Sequence, residues 1–325
     1  MVAATESVGQ DSAVSTLFEK RLLFLVGKGG VGKTTVAAAL ALAAARQGKK
    51  TLLIELEDNI RAARLLGLPP IPQRTDLPRQ VSPNLFVLTV NGQAALDEYL
   101  QRLVPFKRVL RTVFESRPYQ YFVAAAPGIK ELMTMGKVWF EEHQQDPATG
   151  QLRWDLLIID TPATGHSLQY LRMPQAAYDT FSEGLVHRKA EEVVTFLSDS
   201  RRTAVNLVTT PEELPVSETF DAYQQLRDDL RVPLGVLFIN RVRQASLSRT
   251  TLEHGRVDGK VPVAERSLAE HVLACAQAEA ELVEAQAVHL QQLQELPLPI
   301  VSLPFCFVEE FGFPQVEQLS HIIAS

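Results

Sequence analysis

A glycine-rich run directly after a short apolar segment constrains this chain more than any other feature. Residues Leu22–Val26 are apolar, and the segment that follows reads G-K-G-G-V-G-K-T-T. This run fits the phosphate-loop pattern G-x-x-x-x-G-K-[ST], which lies between a buried strand and a helix. Its glycines let backbone N–H groups turn towards phosphate oxygens, and the helix adds the positive end of its dipole. The run therefore predicts a phosphate-binding site.

The pattern assigns a role to each part of the loop. Lys33 is expected to contact the β- and γ-phosphates of a bound nucleotide, and Thr34 is expected to bind Mg²⁺. The residues expected to surround the nucleotide phosphates are Gly27, Gly29, Gly30, Val31, Gly32, Lys33, Thr34 and Thr35. The alternative is a glycine turn without a ligand, but strand, loop and Ala-rich helix all favour the nucleotide site.

Apolar runs along the chain predict the fold class. They lie at Leu22–Val26, Thr51–Leu56, Leu85–Val90, Leu156–Ile159, 204–208, 234–239 and 300–303. Nearly continuous apolar strands are typical of a parallel sheet that is covered by helices on both faces. We therefore predict an α/β fold, a doubly wound and mostly parallel sheet of the P-loop NTPase type.

The predicted domain organisation is simple. Residues 1–20 are small, polar and unpatterned, which favours a flexible N-terminal tail, and residues 21–325 form the P-loop ATPase domain. Two stretches interrupt the strand pattern with helical apolar repeats, at about 92–145 and 170–200. We interpret them as a helical insert above the carboxyl edge of the sheet, where ligand-binding segments gather. Their apolar stripes fit a client-binding groove or the domain's own core equally well.

Composition excludes several classes of partner. The chain has 325 residues, 46% hydrophobic, and a formal net charge of −6, which argues against a nucleic-acid partner. No apolar run is long enough to span a bilayer, and no basic amphipathic segment follows Arg266, the last cationic side chain apart from histidine. Without a secretory signal at the first residues, a cytoplasmic location without a stable membrane anchor is expected.

The cysteines limit the possible metal chemistry. Cys275 and Cys306 are the only two, and they are too far apart in sequence for a CxxC pair. One chain therefore cannot form a disulfide framework or a four-thiolate metal site. We expect both to be buried small apolar residues.

A second motif supplies the acid that Mg²⁺ chemistry requires after a phosphate loop. The apolar run Leu156–Ile159 ends in Asp160, and the chain continues T-P-A-T-G-H-S-L. A carboxylate at a strand end can order the water shell of the metal, so we expect Asp160 to act there together with Thr34. His166 within this segment fits conformational coupling better than catalysis.

The segment from Asp160 to Leu168 resembles the switch II sequence D-T-A-P-T-G-H-T-L of the arsenite-pump ATPase (ArsA) family and its tail-anchored-protein targeting relatives. Three further segments are similar to motifs of that family: A-P-G-I-K-E at 126–131, V-T-T-P-E-E-L-P-V-S-E at 208–218 and F-I-N-R at 238–241. The resemblance extends from Arg21 to about Leu319. It implies an ATPase that couples the loss of the γ-phosphate to movements of neighbouring helices.

Lys28 resembles the signature lysine of the deviant Walker A subgroup, whose members work as dimers. That resemblance implies that Lys28 reaches the nucleotide of a partner subunit and offsets charge on the transferred phosphate, as an arginine finger does. The partner is expected to be a second copy or a paralogue. The alternative is an ordinary solvated lysine.

The resemblance also suggests residues for water activation and for adenine binding. Glu57 falls where the family has the aspartate that polarises the attacking water; Asp58 is the neighbouring candidate, and either acid fits a solvated loop as well. Asn240 corresponds to the family's adenine-recognising asparagine, or is a turn residue at a strand end. Backbone near Pro304 and Phe305 completes the expected adenine site.

Two functions remain open from the sequence. The first is an ATP-driven dimeric switch that handles a client polypeptide, such as an apolar segment of a membrane protein. The second is an ATPase subunit for transport of an anion or a metalloid. Metalloid binding through thiolates is disfavoured, because no cysteine precedes Cys275.

Overall fold

The computed structural model describes residues 14–56, 61–69, 77–103, 113, 114, 116, 117, 119, 121, 128–244 and 263–324. Its strands are β1 Leu22–Val26, β2 Thr51–Leu56, β3 Arg79–Ser82, β4 Leu85–Val90, β5 Leu156–Asp160, β6 Thr203–Thr209, β7 Leu234–Val242 and β8 Ile300–Pro304. Its longer helices are α1 Lys33–Arg46, α2 Arg61–Leu65, α3 Gly92–Leu103, α4 Ile129–His143, α5 Thr164–Thr180, α6 Leu185–Ser198, α7 Glu213–Gln224, α8 Val263–Leu293 and α9 Phe313–Ala324.

The strands form one sheet in the order β3-β4-β2-β5-β1-β6-β7-β8. All neighbouring pairs are parallel except β3 with β4, which is antiparallel. The central strand β1 lies between β5 and β6, so the segment after β1 emerges where the chain winds to both sides. The predicted doubly wound, mostly parallel α/β fold is confirmed, whereas β3 was missed because its R-Q-V-S sequence lacks an apolar pattern.

The sheet separates two apolar cores. In β1, Leu23 and Leu25 face the core that contains α1 and α9, while Leu22, Phe24 and Val26 face the other. This alternation follows from the two-residue period of a strand. Both faces of the central strands are therefore covered, which explains why their sequences are apolar throughout.

Part of the expected N-terminal tail is folded, and this corrects the sequence interpretation. Residues 14–18 are helical, and Val14, Leu17 and Phe18 are each at most 5% exposed in the α1 core. Their spacing of three and four residues places them on one helix face. The segment is too short to show that periodicity clearly in the sequence.

The helices of the second core use much of the apolar stripe that the sequence suggested for an insert. Met135 and Val138 of α4, with Val193 and Phe196 of α6, are buried in the same core as β1 and β5. These side chains close the domain's own core. The insert boundaries at 92–145 and 170–200 stay a prediction, since parts of the first stretch lie outside the described residues.

The two cysteines differ in exposure. Cys275 is exposed on α8, contrary to the expectation of a buried thiol, and Cys306, just after β8, is partly buried. Within the described ranges, every helix lacks either the length or the apolar character that crossing a membrane requires.

A buried asparagine joins three central strands. Asn206 of β6 is fully buried, its Nδ2 donates to the carbonyl oxygen of Phe24 at 3.3 Å, and its Oδ1 accepts from the backbone N–H of Val236 at 2.9 Å. The β6–β7 register shifts at this point, so the side chain replaces a missing ladder hydrogen bond.

Asn206→Ala should lower the free energy of unfolding by about 2–4 kcal/mol, because it leaves the Val236 N–H without its acceptor and opens a cavity. Urea unfolding measures this loss. The exposed Gln224→Ala on α7 serves as the matched control and should change the free energy by less than about 0.5 kcal/mol. A similar result for both variants would contradict the bridging role of Asn206.

Candidate nucleotide site

The phosphate loop links β1 to α1 in a conformation that requires glycine. Gly32 has a φ of 90°, and a Cβ there would lie 2.3 Å from Nδ2 of Asn240. At Gly27 a Cβ would lie 2.1 Å from the backbone oxygen of Val208 at the end of β6. The loop is thus packed tightly against neighbouring strand ends, and only the glycine pattern read from the sequence fits.

The N-terminus of α1 leaves backbone donors free for an anion. Gly32 is the N-cap of this 14-residue helix and has no side chain that could accept a hydrogen bond. The first N–H groups of the helix therefore have no side-chain acceptor at the cap. Thr35 and the loop glycines 29, 30 and 32 line the cleft beside it, whereas Val31 is 2% exposed in the core. This geometry suits a phosphate group.

Lys33 places a buried ammonium group inside the loop. It is 8% exposed, and its Nζ donates to the carbonyl oxygens of Gly27 at 2.8 Å and Lys28 at 2.9 Å. Burial lowers the pKa of Lys33, while the charges of Asp160 and Glu218 raise it in part. A phosphate beside this ammonium would offset the desolvation of its charge.

Thr34 and Asp160 form the expected magnesium pair. The Thr34 hydroxyl donates to Oδ2 of Asp160 at 2.6 Å, while Oδ1, which is buried, has no hydrogen-bond partner in the described part of the chain. Burial raises the pKa of Asp160 to about 6, although Thr34, Lys33 and Arg61 act in the opposite direction. A hydroxyl and a carboxylate with a free oxygen are ligands that Mg²⁺ prefers, so the residues present fit this ion.

Glu55 is a site residue that the sequence reasoning missed. It is fully buried in β2, directly opposite Asp160 in the β2–β5 register, and burial raises its pKa to about 7. Its Oε1 accepts hydrogen bonds from the backbone N–H groups of Arg61 at 2.7 Å and Ala62 at 2.6 Å. An acid within an otherwise apolar strand was the available signal, because carboxylates are rarely buried without a partner.

A cleft of about 940 Å³ opens beside these groups. The phosphate loop, switch II from Asp160 to Ala163, and the segment Glu310–Gly312 line it. Besides Lys33, three arginines line the same cleft, namely Arg61, Arg64 and Arg241. Such a cationic wall complements a polyphosphate, and sequence reasoning had not assigned these arginines.

The predicted adenine residues gather at the ends of β7 and β8. Asn240 is 4% exposed, and its Nδ2 donates to the carbonyl oxygen of Val31 at 2.9 Å, so its amide supports the phosphate loop. Pro304 lies opposite Val242 in the β7–β8 register, and the Phe305 ring lies 4.0 Å from the Arg243 guanidinium carbon. Adenine binding by these residues stays a prediction.

Lys28 has an ion-pair partner within its own chain. Its Nζ lies 2.7 Å from Oε1 of Glu218, and both side chains are partly exposed. Glu218 closes the 208–218 motif on α7. The structure therefore places the signature lysine at the surface beside the loop, held by an acid that the motif itself supplies.

Switch II begins at Asp160 and lies beside β1 and the loop. The Thr161 hydroxyl donates to the carbonyl oxygen of Leu25 at 2.6 Å, and a Cβ on Gly29 would lie 3.5 Å from Cβ of Ala163. His166 is exposed on the first turn of α5. Glu57 and Asp58 lie outside the described residues, in the segment between β2 and α2.

Comparisons with known proteins agree with this geometry. The family profile described as anion-transporting ATPase (ArsA ATPase) matches residues 20–188. ATPase BagA of Mycobacterium tuberculosis is 32% identical over 328 aligned residues, which cover 94% of this chain and 93% of that protein. The arsenical pump-driving ATPase of Escherichia coli is 29% identical over 63% of this chain and 36% of its own length, and that of Acidiphilium multivorum is 28% identical over 63% and 37%.

The burial of Asp160 predicts a pH-dependent effect of Asp160→Asn. The pKa in the folded state is about 6, against an ordinary 3.8, so the folded state binds this proton more tightly and stability falls as the pH rises through that window. At pH 8 without metal, the Asn variant should therefore be more stable by about 1–3 kcal/mol, and the gain should disappear near pH 4. Urea unfolding in EDTA at several pH values measures it.

The exposed Asp221→Asn on α7 is the control for the loss of one negative charge. It should leave stability nearly unchanged at each pH. A loss of stability for Asp160→Asn at pH 8 would contradict the burial argument.

Proposed function

Because this chain belongs to the ArsA family of ATPases, we propose that it is a dimeric, Mg²⁺-dependent molecular switch of the cytoplasm. In this proposal ATP binding and hydrolysis to ADP and phosphate drive the handling of a client polypeptide. Family membership supports ATPase activity in general. The observation that carries the finer proposal is the Thr34–Asp160 hydrogen bond beside Lys33, since it brings the two expected Mg²⁺ ligands and a cation together where switch II begins.

The phosphate groups of ATP would bind along the loop. Backbone N–H groups from the loop and α1 would donate to the phosphate oxygens, and Lys33 would exchange its two loop carbonyls for the β- and γ-phosphates. Arg61 and Arg241 line the same cleft and add positive charge. Asn240 supports the loop from behind, which favours a preformed site over one that orders on binding.

Thr34 and Asp160 would hold Mg²⁺, which offsets negative charge on the β- and γ-phosphates. Glu57, or Asp58 beside it, would orient the water for in-line attack on the γ-phosphate. Lys33 and the Lys28 of a second subunit would stabilise the charge that develops during transfer. These groups come from the phosphate loop, the end of β5, the segment after β2 and a second subunit, so hydrolysis requires that all of them close on one nucleotide.

Lys28 must leave Glu218 before it can serve another subunit. The ion pair is partly exposed and therefore weak, of the order of 1 kcal/mol or less. A triphosphate on a neighbouring subunit offers more negative charge than one carboxylate. We infer that nucleotide binding in a dimer transfers the lysine from Glu218 to the partner's phosphates.

Switch II provides the route from the nucleotide to the rest of the domain. It begins at the proposed metal ligand Asp160, passes beside Gly29 of the loop at Ala163 and continues as the first turn of α5. Helix α5 packs on both α4 and α6. Loss of the γ-phosphate would therefore move a helix layer, which is the type of response a switch requires.

The client surface in this proposal lies at the turn between α5 and α6. Phe181, Leu185 and Val186 are each more than 40% exposed there, although the inner faces of both helices are used by the core. An apolar helix of a membrane protein would cover such side chains. Their position at the end of α5 connects them to switch II.

The alternative is an ATPase subunit for anion or metalloid transport, and the printed names of the pump-driving relatives favour it. The alignments cover about a third of those proteins' length. Within the described residues no group of three or more His, Cys, Asp or Glu side chains could hold a metal ion. Stimulation of ATP hydrolysis by arsenite or antimonite would favour this alternative over a client polypeptide.

Mixing two inactive variants tests whether Lys28 acts across a dimer. Lys28→Ala should reduce the ATPase rate by roughly 10³-fold, and Lys33→Ala should abolish ATP binding. An equimolar mixture should recover roughly a quarter of the wild-type rate, since random pairing makes about half the dimers mixed and each contains one complete site. ATPase assays of the separate and mixed proteins measure this, and no recovery on mixing contradicts action across a dimer.

Glu57→Gln should bind ATP with near wild-type affinity. It should hydrolyse ATP at roughly a hundredth of the wild-type rate or below, because a neutral amide cannot orient water as a base does. Calorimetry and phosphate release measure the two effects. With ATP bound, this variant should remain a dimer in gel filtration and should capture an apolar helical peptide.

The matched comparison for capture is the same variant without nucleotide. Normal hydrolysis by Glu57→Gln would move the water-orienting role to Asp58. An absence of peptide capture in both nucleotide states would remove the client role but leave the ATPase proposal standing.

A further inference from the structure

Glu55 makes two different uses of its carboxylate oxygens. Oε1 accepts the backbone N–H groups of Arg61 and Ala62, which are the first donors of α2. Oε2 is buried and has no hydrogen-bond partner in the described part of the chain. Oε1 is therefore used by α2, whereas Oε2 has lone pairs that a ligand could use.

The second oxygen is not isolated in the fold. Glu55 lies opposite Asp160 on the adjacent parallel strand, where residues in register point to the same face of the sheet about 4.8 Å apart. Asp160 also has one buried oxygen, Oδ1, without a partner in the described residues. Each of these facing strand positions thus carries a buried carboxylate oxygen without a described partner, and Asp160 also lines the nucleotide cleft.

Two ionised carboxylates that are buried at facing positions of adjacent strands repel each other. Two cations favour the charged form of Asp160. They are Lys33, which is held by loop carbonyls, and Arg61, which is exposed. Neither forms a described ion pair with Glu55. Leaving two carboxylate oxygens unpaired costs stability, and a cation between them would recover it.

We propose that Glu55 is a second carboxylate of the Mg²⁺ site, opposite Asp160, and that it ties the metal to the first turn of α2. The inference rests on the proposed function, because it assigns a further residue to the same nucleotide site. It adds a physical link: the side chain that would bind the metal also accepts the first N–H groups of α2, and α2 comes directly after residues 57–60, which include the proposed water-orienting acids.

This role differs from that of a helix cap in the property that matters. A cap needs only an oxygen acceptor, whereas a metal-binding carboxylate also needs negative charge. Glu55→Gln separates the two, because the amide oxygen can still accept from Arg61 and Ala62 while the charge is lost. Glu55→Asp keeps the charge on a shorter side chain.

The experiment measures Mn²⁺ affinity by electron paramagnetic resonance, with the full-length protein saturated with ADP. Glu55→Gln should weaken Mn²⁺ binding by roughly tenfold or more, and Glu55→Asp should weaken it less than Glu55→Gln. The affinity for ADP in EDTA should stay unchanged in both variants. The exposed Glu183→Gln between α5 and α6 controls for the loss of one negative charge and should bind Mn²⁺ as the wild type does.

Thermal unfolding gives a second readout that a simple cap would not produce. Without metal, Glu55→Gln should unfold at a higher temperature than the wild type, because the repulsion with Asp160 is relieved. With Mn²⁺ and ADP, it should gain less stabilisation than the wild type does.

The outcomes are distinct. Wild-type Mn²⁺ affinity in Glu55→Gln, or equal affinity in the Gln and Asp variants, would overturn the metal role of Glu55 and leave the proposed ATPase intact. A wild-type protein that binds neither ADP nor Mn²⁺ would overturn the proposed function and this inference together.

Discussion

The hydrogen bond from the Thr34 hydroxyl to the Asp160 carboxylate joins the two halves of the nucleotide site. Thr34 belongs to the helix that follows β1, and Asp160 ends the neighbouring strand β5. Because these strands are parallel and in register at Leu25 and Asp160, their carboxyl ends bring the helix N-terminus and the acid together. The positions of the loop, switch II and the proposed metal ligands all depend on this alignment of the sheet.

The same alignment has an energetic cost in the metal-free protein. Lys33, Asp160 and Glu55 are all buried, and burial shifts the pKa of each towards its neutral form. Bound nucleotide and metal would supply the opposite charges that these groups lack. Burial of these charged groups thus lowers the stability of the domain without its ligands, as is common at functional sites. The same burial would hold the groups in place for nucleotide and metal.

Sequence reasoning predicted the elements whose signal is local. The strands β1, β2 and β4 were predicted at their observed bounds, because continuous apolar runs mark strands buried on both faces. The antiparallel β3 and the helical residues 14–18 were missed, since one is polar and the other too short for a clear period. The phosphate-loop pattern was a reliable signal because a side chain at Gly27 or Gly32 would clash with neighbouring atoms.

Contacts between distant segments could not be predicted in this way. Glu55 was read as part of an apolar strand, and only the β2–β5 register shows that it faces Asp160. The pairing of Lys28 with Glu218 likewise depends on how α7 packs beside the loop. In this pairing the charge of Lys28 is offset by a carboxylate of its own subunit. In the proposed dimer, the rate of ATP hydrolysis per subunit would then fall on dilution and rise with protein concentration, because each site would need Lys28 from a second subunit.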